Sequence, residues 1–345
     1  MANLTIKDIS RIAGVGVSTV SRVLNNHPDV KDETREKVLE VIKDVKYIPN
    51  NSARNLKRNG TNSIGILIKG IHNTFFSKMI KSIEEKITEK HYSMILHYNK
   101  TKLSDFEVAI QFIKEKKLKG LICLGGEFHD VDNTQLKNLN TPIVIASTNI
   151  PEHMDKKYFS SVVIENEKSA FNAVDYLCKL GHKKIGIITT GEKDKSIGQL
   201  RLQGYKRSLL QNQIQYDSSL TEIGTYTFES GFNAMNKILD KNLDMDAMFV
   251  TTDIMAIGAA KAILSRGLKI PEDISIVGFD GIEYSKYFHP SITTIRQPAE
   301  GIGEKSIKII FDLIKNKKNH KHIVLKTELL ERESCIKKVG GDNNG

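Results

Sequence analysis

The sequence predicts an α/β protein: a small all-α head of helix-turn-helix form, followed by a larger body of two doubly wound α/β lobes. Three observations carry that expectation. Residues 5–45 place apolar side chains at helical spacing in three successive segments. From residue 63, short apolar runs alternate with amphipathic segments, the pattern of buried parallel strands and their crossover helices. The 345 residues suit two or three domains rather than one small core.

Composition narrows the class. Apolar residues make up 39% and charged residues 27%, as in ordinary globular proteins. There is no 18-residue apolar run, and Lys7 and Asp8 fall where an export signal needs an apolar core. A cytoplasmic protein without a membrane partner is therefore expected. Cys123, Cys178 and Cys335 lie too far apart for a zinc site or a disulfide framework. The net charge of +10 permits nucleic-acid binding, and residues 1–62 are denser in net positive charge than the rest, with 11 Lys/Arg against 7 Asp/Glu.

The head reads in order. Thr5-Ile6-Lys7-Asp8 has the capping-box pattern that starts a helix near residue 6. Ile6, Ile9, Ile12 and Ala13 continue it at helical spacing until Gly14-Val15-Gly16 allows a turn. A second helix, Val17 to Leu24, gathers Val20, Val23 and Leu24 on one face and leaves Ser18, Thr19, Ser21 and Arg22 largely on the others. A third, about Asp32 to Val45, turns Val38, Leu39 and Ile42 inward before Tyr47-Ile48-Pro49 ends it. Two short helices joined by a tight turn and braced by a third describe a helix-turn-helix, whose second helix enters the DNA major groove. Other small helical bundles share this periodicity, so the pattern alone leaves both readings open. Gly14-Val15-Gly16 is no dinucleotide fingerprint, because Ser18-Thr19 follows where a third glycine belongs and no strand precedes it.

In the body, Ile64–Ile68, Tyr92–Leu96, Gly120–Leu124 and Pro142–Ala146 read as buried parallel strands, with helices over Phe75–Lys90 and Phe106–Lys116 between them. A second set repeats the scheme: strands Lys184–Thr189, Ala247–Thr251 and Ile274–Phe279, and helices near Lys168–Leu180, Gln199–Gln211, Phe228–Leu239 and Ile254–Arg266. Ligands of such sheets bind at the carboxyl ends of the strands. No phosphate loop, strand-linked GxGxxG or GxSxG elbow is present, which disfavours a kinase, dehydrogenase or hydrolase, and no cofactor is expected. A plain sugar-binding module would leave the head unexplained.

Residues 5–65, with TVSRVLN, TREKV, Tyr47-Ile48-Pro49-Asn50 and Ala53-Arg54-Asn55-Leu56 ahead of Thr61 and Ile64-Gly65, resemble the head and hinge of the LacI/GalR family of bacterial transcription regulators. The similarity continues through LGHKKIGIITTG, LRLQGYKRSL, TDIMAIGAA, DISIVGFD and TTIRQP, nearly the whole chain. The resemblance implies a DNA-binding domain over 1–48, a hinge helix and linker over 49–62, and an effector-binding and dimerisation domain over 63–345. Its lobes would interleave as in periplasmic binding proteins, one of about 63–161 and 293–321, the other of about 162–292 and 322–336. The function implied is a sequence-specific regulator, expected to be a repressor, that binds a pseudo-palindromic double-stranded DNA operator as a homodimer under control of a small-molecule effector.

The resemblance also implies site residues. Val17, Ser18 and Arg22 would read base edges, and arginine pairs bidentately with guanine. Thr5, Thr19, Ser21, Asn25, Thr34 and Tyr47 would hold phosphates, which fix register without reading sequence. Asn50, Ala53 and Leu56 belong to the hinge, Leu56 as the wedge between base pairs of a central CG step. Effector residues would be Arg201 and Asp280, with aromatic Phe75, Phe76 and Tyr226 and polar His72, Asn73, Ser147, Thr252 and Gln297. One of Phe75 and Phe76 is equally a core residue, and a pairing of Arg201 with Asp280 across the cleft is the alternative to ligand contact.

Several positions depart from the family pattern. Gly16 and Lys31 replace serines at helix starts. Ser147 stands for an Asp, Thr252 for an Asn, and Gly70 and Thr74 for an Asp and a Pro. A sugar or sugar phosphate is still the favoured effector. SAFNAVDYL, GYKRSL and Tyr226–Gly231 look like the catabolite control branch, whose corepressor is a phosphorylated carrier protein, but Glu300, Gly301, Lys308 and Asp312 poorly match that branch's contact helix.

Overall fold

The computed structural model describes residues 4–24, 27–47, 62–70, 73–99, 103–190, 197–241, 243–315 and 319–338. The chain divides into two compact units, Met1–Thr61 and Asn62–Gly345.

In the head, helices α1 (Ile6–Ala13), α2 (Val17–Leu24) and α3 (Asp32–Asp44) enclose a core of Ile9, Ala13, Val20, Val23 and Val38. The Asp8 carboxylate accepts from the Thr5 amide at 2.9 Å and the Thr5 hydroxyl at 2.7 Å, and these bonds hold its carboxyl below the usual carboxylate range. Gly14, at φ +62°, ends α1 in the left-handed conformation that glycine adopts without strain. Two expected core residues face solvent instead: Ile12 is 52% and Leu39 47% exposed. Each lies about 80° around its helix from the middle of the inward stripe, Ile9–Ala13 on α1 and Val38–Ile42 on α3, and helices this short bury one stripe only.

The body comprises β1 (Ser63–Ile68), α4 (Phe75–Glu89), β2 (Ser93–Tyr98), α5 (Asp105–Lys116), β3 (Gly120–Leu124), α6 (Asn133–Lys137), β4 (Ile143–Ala146) and β5 (Ser160–Ile164), then α7 (Asn166–Lys179), β6 (Ile185–Thr189), α8 (Ile197–Gln211), β7 (Thr221–Ile223), α9 (Phe228–Asp240), β8 (Ala247–Val250), α10 (Asp253–Ser265) and β9 (Ser275–Asp280). It ends with α11 (Glu283–Tyr287), β10 (Thr293–Arg296), α12 (Ala299–Ile314), β11 (His322–Leu325) and β12 (Glu328–Leu330). Among the described residues these strands form two sheets, ordered β11-β5-β4-β3-β1-β2 and β12-β10-β9-β8-β6-β7. Pairing is parallel except for β12 against β10. The uninterrupted burial of β1, β3, β4, β6, β8 and β9 follows from helices covering both sheet faces.

The lobes interleave, and the crossovers fall after β5, between β10 and α12, and between β11 and β12, a few residues beyond 161, 292 and 322. Thr293–Arg296 pairs in parallel with Val277–Asp280 and so belongs to the second sheet, while His322–Leu325 pairs with Ser161–Ile164 in the first. A chain leaves a sheet at a strand end, because a boundary within a strand would break its hydrogen-bond ladder.

Helices α9 and α10 touch backbone to backbone at two glycines. A Cβ on Gly258 would lie 2.0 Å from the Phe228 carbonyl oxygen, and one on Gly231 would lie 2.1 Å from that of Met255. Because backbone cannot rotate aside, Gly258→Ala is expected to lower the stability of the body by about 1–3 kcal/mol, seen as an earlier urea-unfolding midpoint. An unchanged midpoint would mean that the two helices part without cost.

Candidate DNA-reading face and ligand cleft

On α2, Val17, Ser18, Ser21 and Arg22 fall within about 140° of arc, opposite the buried Val20 and Val23. Val17, Ser18 and Arg22 are exposed, and Ser21 and Thr19 are half-buried. Arg22 Nη1 lies 3.2 Å from Asp29 Oδ2. Thr34 and Tyr47 are half-buried, with Tyr47 packed on the head core, and the Thr5 hydroxyl is engaged by Asp8. Asn25, Asn50, Ala53 and Leu56 lie outside the described residues.

In the body, the segments after β1, β6, β8, β9 and β10 meet at one charged centre. Asp280, 3% exposed, accepts from Asn73 Nδ2 at 3.0 Å and from Gln297 Nε2 at 2.7 Å, and Arg201 Nη1 lies 3.6 Å away. Asn73 follows the first sheet's β1, so its bond to Asp280 crosses between the lobes. Arg201 and Asp280 both belong to the second lobe, on α8 and at the end of β9, so their pairing is internal to that lobe and does not cross the cleft.

The guanidinium is held on several sides. Arg201 Nε donates to Asn166 Oδ1 at 3.0 Å, Nη1 donates to the Thr251 carbonyl at 2.5 Å, and Cζ sits 3.6 Å from the centre of the Phe279 ring. Burial pushes the Asp280 carboxyl up, and Arg201, Asn73 and Gln297 pull it back without cancelling the rise. Asp280 also has a left-handed backbone, φ +117°, a strained conformation of the kind retained where a side chain must be aimed.

The other expected residues occupy several environments. Phe75 and Phe76 are both buried, with ring centres 5.4 Å apart, and the Phe75 amide donates to Asn73 Oδ1 at 3.0 Å. Phe75, Asp280 and Gln297 border a cavity of about 710 Å³ that Tyr284, Arg296 and Lys78 also line. Ser147 is buried at φ +55° with its amide on the Val162 carbonyl. The Thr252 hydroxyl accepts from the Met255 amide at 3.3 Å and so caps α10. Tyr226 is half-buried at φ +60°, ahead of α9, and His72 lies outside the described residues.

Sequence reasoning missed Asn166, Phe279 and Asp253. Asp253, fully buried, accepts from Thr294 Oγ1 at 2.6 Å and from the Ile282 amide at 2.8 Å. Its signal was a lone acid at the start of the apolar helix DIMAIGAAKAIL, directly after Thr252. Burial, then the negative charge of Asp280, pushes the Asp253 carboxyl up to about 7. A carboxyl raised on folding favours the protonated native state, so its stabilising contribution is full below about pH 4 and is lost as pH rises toward 7. The body should therefore be less stable at pH 8 than at pH 5 by on the order of 2–3 kcal/mol, and Asp253→Asn should flatten that slope in urea-unfolding curves. An equal slope in both proteins would place the titration elsewhere.

The chain matches the family of bacterial regulatory proteins of the lacI type over residues 5–50 and a periplasmic binding protein-like domain over residues 174–335. It is 49% identical to the HTH-type transcriptional regulator MalR of Clostridium butyricum, over 96% of this chain and 99% of that one. Among solved structures, it is similar to a lac repressor dimer bound to operator and the anti-inducer ONPF, with a TM-score of 0.76 and 26% identity over 97% of this chain and 100% of that one. It is also similar to a complex of the transcriptional regulator CelR with cellobiose, with a TM-score of 0.70 and 28% identity over 96% and 99% of the two chains. A helix-turn-helix head ahead of two interleaved parallel-sheet lobes, with relatives that are regulators and not enzymes, makes this chain a transcriptional regulator belonging to the LacI family.

Proposed function

We propose that the chain binds a two-fold-symmetric DNA operator as a homodimer and acts as a repressor controlled by a neutral carbohydrate held at Asp280 and Arg201. The observation that carries the reading is the bond from Asn73 to Asp280, which joins the two lobes at a charged centre. A sugar hydroxyl competing for Asp280 alters that inter-lobe contact, and a change of lobe angle is what the linker that precedes β1 in the chain would pass to the head. Arg201 and Asp280 balance each other's charge, and Asn73 and Gln297 are neutral, so the centre suits hydroxyl groups better than a phosphate. The cellobiose held by one solved relative agrees with that chemistry. A phosphorylated carrier protein is the second partner to test, and the poor match of Glu300, Gly301, Lys308 and Asp312 on α12 to the catabolite control branch's contact helix weighs against it.

A thermal-shift panel of neutral sugars, sugar phosphates and a phosphorylated carrier protein separates these ligands. A ligand of the folded state at about 100 times its Kd adds about 2.7 kcal/mol of stability. A neutral mono- or disaccharide is expected to raise the melting temperature. A shift with the carrier protein alone would overturn the carbohydrate reading.

A further inference from the structure

The guanidinium assigned to base reading is not free in the head. Arg22 sits in the last turn of α2, and its Nη1 lies 3.2 Å from Oδ2 of Asp29 in the loop between α2 and α3. The other carboxylate oxygen, Oδ1, lies 2.8 Å from His27 Nδ1, and an ionised carboxylate can only accept, so the imidazole N–H donates. One carboxylate thus bridges an imidazole and a guanidinium.

The loop carrying that carboxylate is tied down. The His27 amide donates to the Arg22 carbonyl at 2.9 Å, Arg35 Nη2 from α3 donates to the His27 carbonyl at 2.5 Å, and Val30 packs against the head core. Asp29 is therefore placed by contacts that do not depend on the Arg22 side chain. The arginine is the long, rotamer-rich member of the pair, with its side chain 58% exposed against 45% for Asp29. A contact on Nη1 leaves guanidinium donors for a base edge.

We infer that Asp29 is a positioning residue for base recognition: it holds the Arg22 guanidinium in the orientation that pairs bidentately with guanine, and its negative charge penalises binding to DNA that offers Arg22 no guanine. The inference rests on Arg22 reading a base. Two effects of one carboxylate then act together. Fixing the fork removes rotamer freedom that would otherwise be lost on binding, and this favours guanine, whose O6 and N7 match a fixed fork. The charge also opposes the phosphate field that dominates nonspecific binding.

The test uses the full chain and a pool of duplexes carrying randomised two-fold-symmetric sites. Bound DNA is sequenced to give the base preference at every position, and anisotropy titrations on single duplexes follow. In the unaltered chain, one guanine per half-site should lose its preference in Arg22→Ala. Asp29→Asn, which keeps the size of the side chain and removes its charge, is expected to weaken the preference at that same position by about three- to tenfold while leaving other positions unchanged. It should also tighten binding to sequence-unrelated DNA. Asp29→Glu restores the charge and should recover part of the preference, which a loss of loop structure would not allow.

If Asp29→Asn tightens binding to all duplexes alike and keeps the guanine preference, Asp29 is a solvated charge and the inference fails while base reading by Arg22 stands. If Arg22→Ala alters no position, base reading by Arg22 fails and the positioning role falls with it. Matching melting curves of the variants and the unaltered chain verify that the head is folded.

Discussion

Arg201→Met is expected to abolish carbohydrate binding and to lower the stability of the body by about 3 kcal/mol, because it leaves the buried Asp280 carboxylate without its cationic partner. Methionine preserves much of the volume and the contact with the Phe279 ring, so the loss isolates the charge and its hydrogen bonds. The Asn166 side chain and the Thr251 carbonyl also lose donors, which adds desolvated acceptors to the cost. Adding Asp280→Asn to Arg201→Met should recover part of the stability, since the uncompensated charge is gone, and none of the ligand binding. Urea unfolding reads the first effect and the sugar-dependent thermal shift reads the second. A single variant as stable as the unaltered chain would mean that Asp280 is already neutral there.

The second large effect is on DNA. Leu56→Ala is expected to weaken binding to a pseudo-palindromic duplex with a central CG step by about tenfold to a hundredfold, and to leave binding to unrelated DNA nearly unchanged. A wedge stabilises only a duplex that is unstacked and kinked, at a cost of a few kcal/mol per step, whereas nonspecific binding is carried by phosphate contacts. Leu56 lies outside the described residues, and the expectation rests on Ala53-Arg54-Asn55-Leu56 in the sequence. Anisotropy titrations on both duplexes at one salt concentration separate the two terms. Equal losses on both would remove the wedge role.

Much of this architecture was legible before any coordinates. The strands β1, β3, β4, β6, β8 and β9 are continuous apolar runs because helices bury them on both faces, so burial writes itself directly into composition. The strands that escaped, β5, β7, β10, β11 and β12, are short or mixed in polarity. Ser160-Ser161 and Thr293-Thr294 are buried hydroxyl residues whose strand character depends on neighbours contributed by distant segments. The lobe crossovers implied by the resemblance lie a few residues ahead of the strand ends where the chain changes sheet.

The site divides along a similar line. Arg201 in LRLQG and Asp280 in VGFD stand in recognisable motifs, and they converge with Asn73 and Gln297. Asn166 could not be read, since it reaches Arg201 from a helix start 35 residues away that carries no motif of its own. Thr252 was identified by position, but its hydroxyl is committed to capping α10, a role set by local backbone geometry. In the head, Ile12 and Leu39 illustrate the reverse: apolar side chains on short helices that have no second surface to bury them.

The most direct test of the account is an anisotropy titration of a labelled two-fold-symmetric operator with the full chain, with and without a saturating neutral sugar identified by thermal shift. Coupling between cleft and head predicts an operator affinity changed by about 5- to 150-fold, with no change for Asp280→Asn. Identical affinities with and without the bound sugar would contradict it, leaving a DNA-binding head and a carbohydrate clamp that do not communicate.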